Sequence, residues 1–166
     1  MRVDRLEVGF LGTNCYFIIK DNNLIIIDPG DDYPLIKEKI DNLNLKAIFI
    51  THNHFDHITA LKELLNDYDV PINPEKVDGF NYEIISTPGH TPDSISFYFK
   101  EDNMMFTGDF LFEGTIGRTD LDGGCMQTMK NSLIMIRSYP DETIIYPGHG
   151  AKTMLVKEKN YFDSYF

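Results

Sequence analysis

"IFITHNHFDHITALKELL", residues 48–65, carries three different signals in one short stretch. Its apolar start belongs to a run, Ala47–Thr51, with the length and β-branched content of a buried strand. From Ile58 onward apolar residues return at helical spacing, which predicts an amphipathic helix over Ile58–Tyr68. Between the two, His52, His54, Asp56 and His57 crowd a strand-to-helix loop. A polar turn needs none of these imidazoles. A metal site does, because imidazole and carboxylate are the donors that Zn²⁺, Fe²⁺ and Mn²⁺ accept at neutral pH.

Four further stretches share one design with this loop. They are "IIIDPG" with Asp28, "ISTPGHTPDS" with His90, "MMFTGDFLF" with Asp109 and "IIYPGHG" with His149. Each sets a metal-capable residue just after an apolar strand and beside glycine or proline. Tight glycine-bearing turns let backbones approach closely and aim side chains. If these strand ends share one rim, their donors converge. A lone loop histidine is best read as a surface or capping residue. Here all 5 histidines sit in such loops, which a random scatter would not produce.

The surrounding pattern is a mixture of strands and helices. Arg2–Val8 alternates polar and apolar residues like a half-exposed strand, and Cys15–Lys20 and Leu24–Asp28 flank "DNN" as a hairpin would. "LIIID" is apolar until Asp28 and reads as a strand buried on both faces. Asp32–Leu43 has helical periodicity, with Pro34 tolerable in the first turn. The second half predicts strands near Tyr82–Thr87, Ile95–Phe99, Met104–Thr107 and Thr143–Tyr146, and a helix over Met126–Tyr139. The expectation is an α/β (α+β) protein, an αββα four-layer sandwich of two mixed sheets with outer helices.

With 166 residues, 1–166 is expected to be a single domain. Lys plus Arg number 15 against 26 Asp plus Glu, a net charge of −11, so nucleic acid as a partner would meet repulsion. No apolar run approaches the roughly 20 residues that span a bilayer. "MRVDRLEVGFLGTN" lacks the layout of a signal peptide, so a cytoplasmic location is expected, with Cys15 and Cys125 as free thiols.

"THNHFDH", followed in order by His90, Asp109 and His149, strongly resembles the metallo-β-lactamase fold superfamily over nearly the whole chain. "TNCYFI", "TPGHTPDSISFY", "FTGDFLFEGTIGRTD" and "PGHG" resemble its small, single-domain glyoxalase II-like hydrolases. The resemblance implies that His52, His54 and His90 hold one metal ion. Asp56, His57 and His149 would hold a second, and Asp109 would bridge the two. Asp28 matches a supporting position that orients a ligand histidine through its other ring nitrogen. Two divalent ions are implied, zinc first, with iron or manganese as alternatives. Such a pair can lower the pKa of a shared water to give hydroxide at neutral pH. A small thioester suits that nucleophile, because a thiolate departs without a strong general acid. Asp56 would position the attacking water.

Other residues carry two readings each. Arg118 in "GTIGRTD" would bind a substrate carboxylate through its planar fork, or pin its own loop through Asp120. Thr51 and Thr107 read as strand-end hydrogen-bonders, and neither cysteine has an evident neighbouring base. The family usually has a longer excursion where this chain has residues 68–80, so one pocket wall is expected to be low. No C-terminal helical substrate domain is expected, so glutathione recognition stays open and a second copy of the chain would be one way to complete the site. Two alternatives stand beside the hydrolase: a mononuclear iron persulfide dioxygenase, which shares a "GRTD" segment, and a non-catalytic metal-binding domain.

Overall fold

The computed structural model describes residues 1–166, which divide into two units, Met1–Asn81 and Tyr82–Phe166. In the first, β1 (Arg2–Val8), β2 (Thr13–Lys20), β3 (Asn23–Ile27) and β4 (Asn44–Phe49) form one sheet in that order. The first three pair antiparallel, and β3 with β4 is parallel. Lys20 pairs with Asn23, so Asp21 and Asn22 make the turn that "DNN" predicts. Leu24–Ile27 are all buried, as an unbroken apolar run requires. Each such side chain stabilises the fold by roughly 1.5–3 kcal/mol.

A parallel pair needs a crossover, and α1 (Tyr33–Ile40) supplies it, burying Ile36 and Ile40. This helix is shorter at both ends than the periodicity over Asp32–Leu43 suggests. Asp32 stands at the N-cap position but its side chain makes no cap bond: the residue sits at φ 54° and its Oδ2 accepts the Gly9 N–H at 2.8 Å. The parallel register brings the carboxyl ends of β3 and β4 together, and Asp28 N–H donates to the Phe49 carbonyl at 2.9 Å. Val8, Phe17, Ile26, Ile48 and Leu64 belong to this unit's core.

The helix predicted over Ile58–Tyr68 is two helices, α2 (Phe55–Ile58) and α3 (Leu61–Asp67). Asp56 and His57 therefore project from a helical turn and not from a loop. The break has a local cause. Thr59 and Ala60 send their N–H groups to the Gly30 and Pro29 carbonyls at 3.2 and 3.1 Å, while the Thr59 hydroxyl takes the Phe55 carbonyl. Residues 68–80 add only two isolated bridges, Ile48 with Ile72 and Val77 with Phe80.

The second unit has a five-stranded mixed sheet. Its strands are β5 (Glu83–Ser86), β6 (Ile95–Phe99), β7 (Met104–Gly108), β10 (Ile144–Pro147) and β11 (Thr153–Met154), in the order β11-β10-β7-β6-β5. A small hairpin, β8 (Leu111–Phe112) with β9 (Thr115–Ile116), follows β7. Helix α4 (Met126–Ile136) buries Met129, Leu133 and Ile136, and α5 (Leu155–Phe162) buries Leu155 and Phe162. Here β7 and β10 are the parallel pair, so Asp109 and His149 leave the sheet at one edge. The result is a mixed α/β protein with two mixed sheets. No helix is long and apolar enough to cross a membrane.

Candidate metal centre

In the first unit the donors hang from the adjoining ends of β3 and β4. Asp28 is 2% exposed and, unusually for a residue with a side chain, lies at φ 52°. Its Oδ1 accepts the Thr51 N–H at 2.8 Å, and its Oδ2 accepts the Thr51 hydroxyl at 2.7 Å and His57 Nδ1 at 2.8 Å. Strain of this kind persists where surrounding bonds over-determine it. Thr51 Oγ1 also lies 3.1 Å from His52 Nδ1. Because its hydrogen goes to Asp28, the hydroxyl oxygen accepts from His52. In the neutral ring that a metal ligand requires, Nδ1 of both His52 and His57 therefore carries the hydrogen, and Nε2 of each carries the lone pair. His52 Nε2 stands 3.1 Å from His54 Nδ1, and His57 Nε2 stands 3.4 Å from Asp56 Oδ2.

The second unit repeats the logic with other parts. His90 Nδ1 lies 2.8 Å from the Arg118 carbonyl, which can only accept, so Nε2 again holds the lone pair. That nitrogen faces Asp109 Oδ2 at 3.5 Å, and His149 Nε2 lies 3.6 Å from Asp109 Oδ1. The Asp109 turn is tight: Gly148 N–H donates to Gly108 O at 2.8 Å, and Phe110 N–H to Thr107 O at 3.1 Å.

These spacings test whether the residues suit a metal. A lone pair facing a carboxylate oxygen at 3.4 or 3.5 Å is two acceptors with no hydrogen to share. Ligands held at roughly 2.0–2.1 Å around a tetrahedral ion stand about 3.4 Å apart. The donor pairs match the edge of a coordination shell better than they match hydrogen bonds, and the residues fit divalent cations.

Two glycines decide whether the donor loops can close. A Cβ on Gly30 would meet the Asp56 carbonyl oxygen at 1.8 Å, and one on Gly117 would meet the Asp109 carbonyl oxygen at 1.7 Å. Neither position tolerates a side chain unless the neighbouring Asp56 or Asp109 backbone moves.

Asp28 and the histidine partner expected for it are in contact. Arg118 is a different case. Its guanidinium is about 61% exposed and grips Asp120 through Nε–Oδ1 at 2.7 Å and a second nitrogen to Oδ2 at 2.8 Å. This fork holds the Asp120 carboxyl down at about 2. What Arg118 brings to His90 is its backbone carbonyl, which no side-chain motif could announce. Thr51 and Thr107 are hydrogen-bonders as expected, Thr107 Oγ1 donating to the Leu111 carbonyl at 2.8 Å. Thr13, at the head of "TNCYFI", was not singled out by the pattern, yet its hydroxyl donates to Asp56 Oδ2 at 3.0 Å. Burial pushes the Cys15 thiol up, while Cys125 is exposed and lowered by the Thr128 N–H.

The sequence profile of the metallo-beta-lactamase superfamily matches residues 8–83 and 75–149. The chain belongs to that superfamily. It is 33% identical over 201 aligned positions to the probable metallo-hydrolase YqgX of Bacillus subtilis, covering 96% of this chain and 95% of the relative. Hydroxyacylglutathione hydrolase GloC of Haemophilus influenzae is likewise 33% identical, over 96% and 95% of the two chains. Among solved structures, the BLEG-1 B3 metallo-beta-lactamase superposes with TM-score 0.91 at 27% identity, covering 96% and 97%. TTHA1623 in a di-iron-bound form gives 0.82 at 29%, covering 93% and 96%. The fold is the metallo-β-lactamase fold, and its donor set makes the chain a divalent-metal-binding member of a metallo-hydrolase superfamily.

Proposed function

We propose that the donors of both units serve one binuclear centre and that the protein hydrolyses a small thioester. In this reading His52, His54 and His90 would hold one ion and Asp56, His57 and His149 the other, with Asp109 as the ligand expected to be shared between them. One observation carries it: the Nδ1 hydrogens of His52, His57 and His90 are all committed elsewhere, which turns each Nε2 towards another donor, a carboxylate for His57 and His90 and the His54 ring for His52. When bound, two such ions lower the pKa of a shared water and stabilise an oxyanion.

The chain's own residues do the rest. Asp28 fixes the ring of His57 and, through Thr51, that of His52. Asp56, braced by the Thr13 hydroxyl, orients the attacking water. A thioester suits the site because a thiolate departs without needing a strong general acid, and the likeness to a hydroxyacylglutathione hydrolase supports that class. Arg118 joins the substrate site only where a substrate carboxylate displaces Asp120. Zinc is the expected metal, and the di-iron neighbour keeps iron as the alternative.

We also carry forward a single domain with a shortened 68–80 segment. The family match falls into two pieces meeting at residues 75–83, which supports it. A small-molecule substrate, no nucleic acid partner, a cytoplasmic location and a second copy completing the low wall belong to the same reading.

The test is metal analysis of protein purified without added metal, followed by assays with S-lactoylglutathione and with glutathione persulfide. Two divalent ions per chain and thioester turnover are expected. One iron per chain with oxygen consumption would overturn the reading in favour of a persulfide dioxygenase. Bound metal with no turnover of either substrate would leave a non-catalytic binding domain.

A further inference from the structure

Glu158, in the middle of α5, is a carboxylate only 2% exposed. Burying an ion is costly unless its lone pairs are satisfied, so such a group marks a place where geometry matters. No lysine or arginine neutralises it. Its Oε2 accepts the Gly114 N–H at 2.8 Å, and its Oε1 accepts the Thr153 hydroxyl at 2.6 Å. Gly114 is the turn of the β8–β9 hairpin, the segment that runs from Asp109 towards Arg118. Thr153 opens β11, just beyond His149.

One carboxylate thus ties the segment after Asp109 to the segment after His149. The same hairpin carries Phe112, whose ring centroid lies 6.2 Å from that of His149. Phe112, Glu113, His149, Gly150 and Ala151 line a cavity of about 270 Å³. The two donors that emerge from these segments, Asp109 Oδ1 and His149 Nε2, stand 3.6 Å apart. Asp109 and His149 leave β7 and β10 just past the Pro147–Gly108 pair, and the Glu158 clamp braces the chain on the far side of each donor.

We propose that Glu158 is a positioning residue: by clamping the β8–β9 turn to β11 it holds Asp109 and His149 at the spacing that lets both bind one metal ion. This rests on the binuclear reading above.

The test uses cobalt(II) as a coloured probe and zinc competition against a chelator. The proteins are wild type, Glu158→Gln, Thr153→Val and Thr153→Ser. Glutamine keeps the volume but must aim an NH₂ at one of the two donors. Partners that bond a ligand directly are worth about 10–100-fold in metal affinity, and a clamp acting one step further out is set at the low end of that range, about tenfold. Glu158→Gln is therefore expected to lose about that much affinity for one of two equivalents and to shift the cobalt absorption of that site, with the metal-free melting curve close to wild type. Thr153→Val should show the same change in smaller degree, and Thr153→Ser, which restores the hydroxyl, should reverse it. Should Glu158→Gln fail to fold, the valine and serine pair decides alone. A wild type that takes up two ions while every variant matches it in affinity and spectrum sinks the role of Glu158 and leaves the metal centre standing. A wild type that takes up no metal sinks both.

Discussion

Replacing Asp28 with asparagine removes one acceptor from a carboxylate that takes three hydrogens, and the outcome can be worked through atom by atom. If the amide oxygen keeps the Thr51 N–H, the new NH₂ faces the Thr51 hydroxyl and His57 Nδ1. The hydroxyl can turn and accept. His57 must surrender its Nδ1 hydrogen, which then moves to Nε2, the atom that faces Asp56 at 3.4 Å. A protonated nitrogen cannot ligate, so metal affinity should fall about 10–100-fold, or roughly 1.4–2.7 kcal/mol.

If the amide flips, its oxygen serves His57 but its NH₂ meets the Thr51 N–H, two buried donors facing each other. That arrangement costs about 1–3 kcal/mol of stability. Zinc competition against a chromogenic chelator reads the first branch, and thermal melting of metal-free protein reads the second. An asparagine variant with affinity within about twofold of wild type and an unchanged melting curve would refute the claim that Asp28 sets the tautomer of His57.

Other expectations are simpler to check. Gly117→Ala puts a Cβ 1.7 Å from the Asp109 carbonyl oxygen, so the Asp109 turn must move, and zinc affinity should drop at least about tenfold. Titration of native protein with a disulfide reagent near pH 8 should modify Cys125 quickly and Cys15 only after denaturant is added, because Cys15 is buried with a raised pKa and Cys125 exposed with a lowered one. The Asp120 carboxyl should titrate near 2 by NMR, and Arg118→Gln should return its midpoint towards 3.8. Since its folded pKa is depressed, whatever the pair adds to stability is present above 3.8 and disappears as pH falls through about 2. Stability that instead rose across that window would reverse the assignment.

Much of the frame was legible because burial writes itself into periodicity. Arg2–Val8 and Ile95–Phe99 match the expected strands residue for residue, and the unbroken apolar run of β3 announced a buried central strand. Helix ends were less legible. Asp32 opens the helical periodicity yet its side chain holds the Gly9 loop, and the helix expected over Ile58–Tyr68 is interrupted by carbonyls of Pro29 and Gly30, distant in sequence. The strands β8, β9 and β11 are two residues each, too short for any period to show.

For the donors, side-chain chemistry and strand-end position named the metal-capable residues, because imidazole and carboxylate at glycine-rich turns have few other uses in such numbers. Which nitrogen of each ring is offered was decided only in three dimensions. It depends on a threonine hydroxyl, an aspartate and the backbone carbonyl of Arg118, groups whose roles arise from neighbours brought together by parallel strand pairing and loop closure. Residue identity specifies what a site can bind; the partners across the fold fix the protonation and spacing with which it is presented.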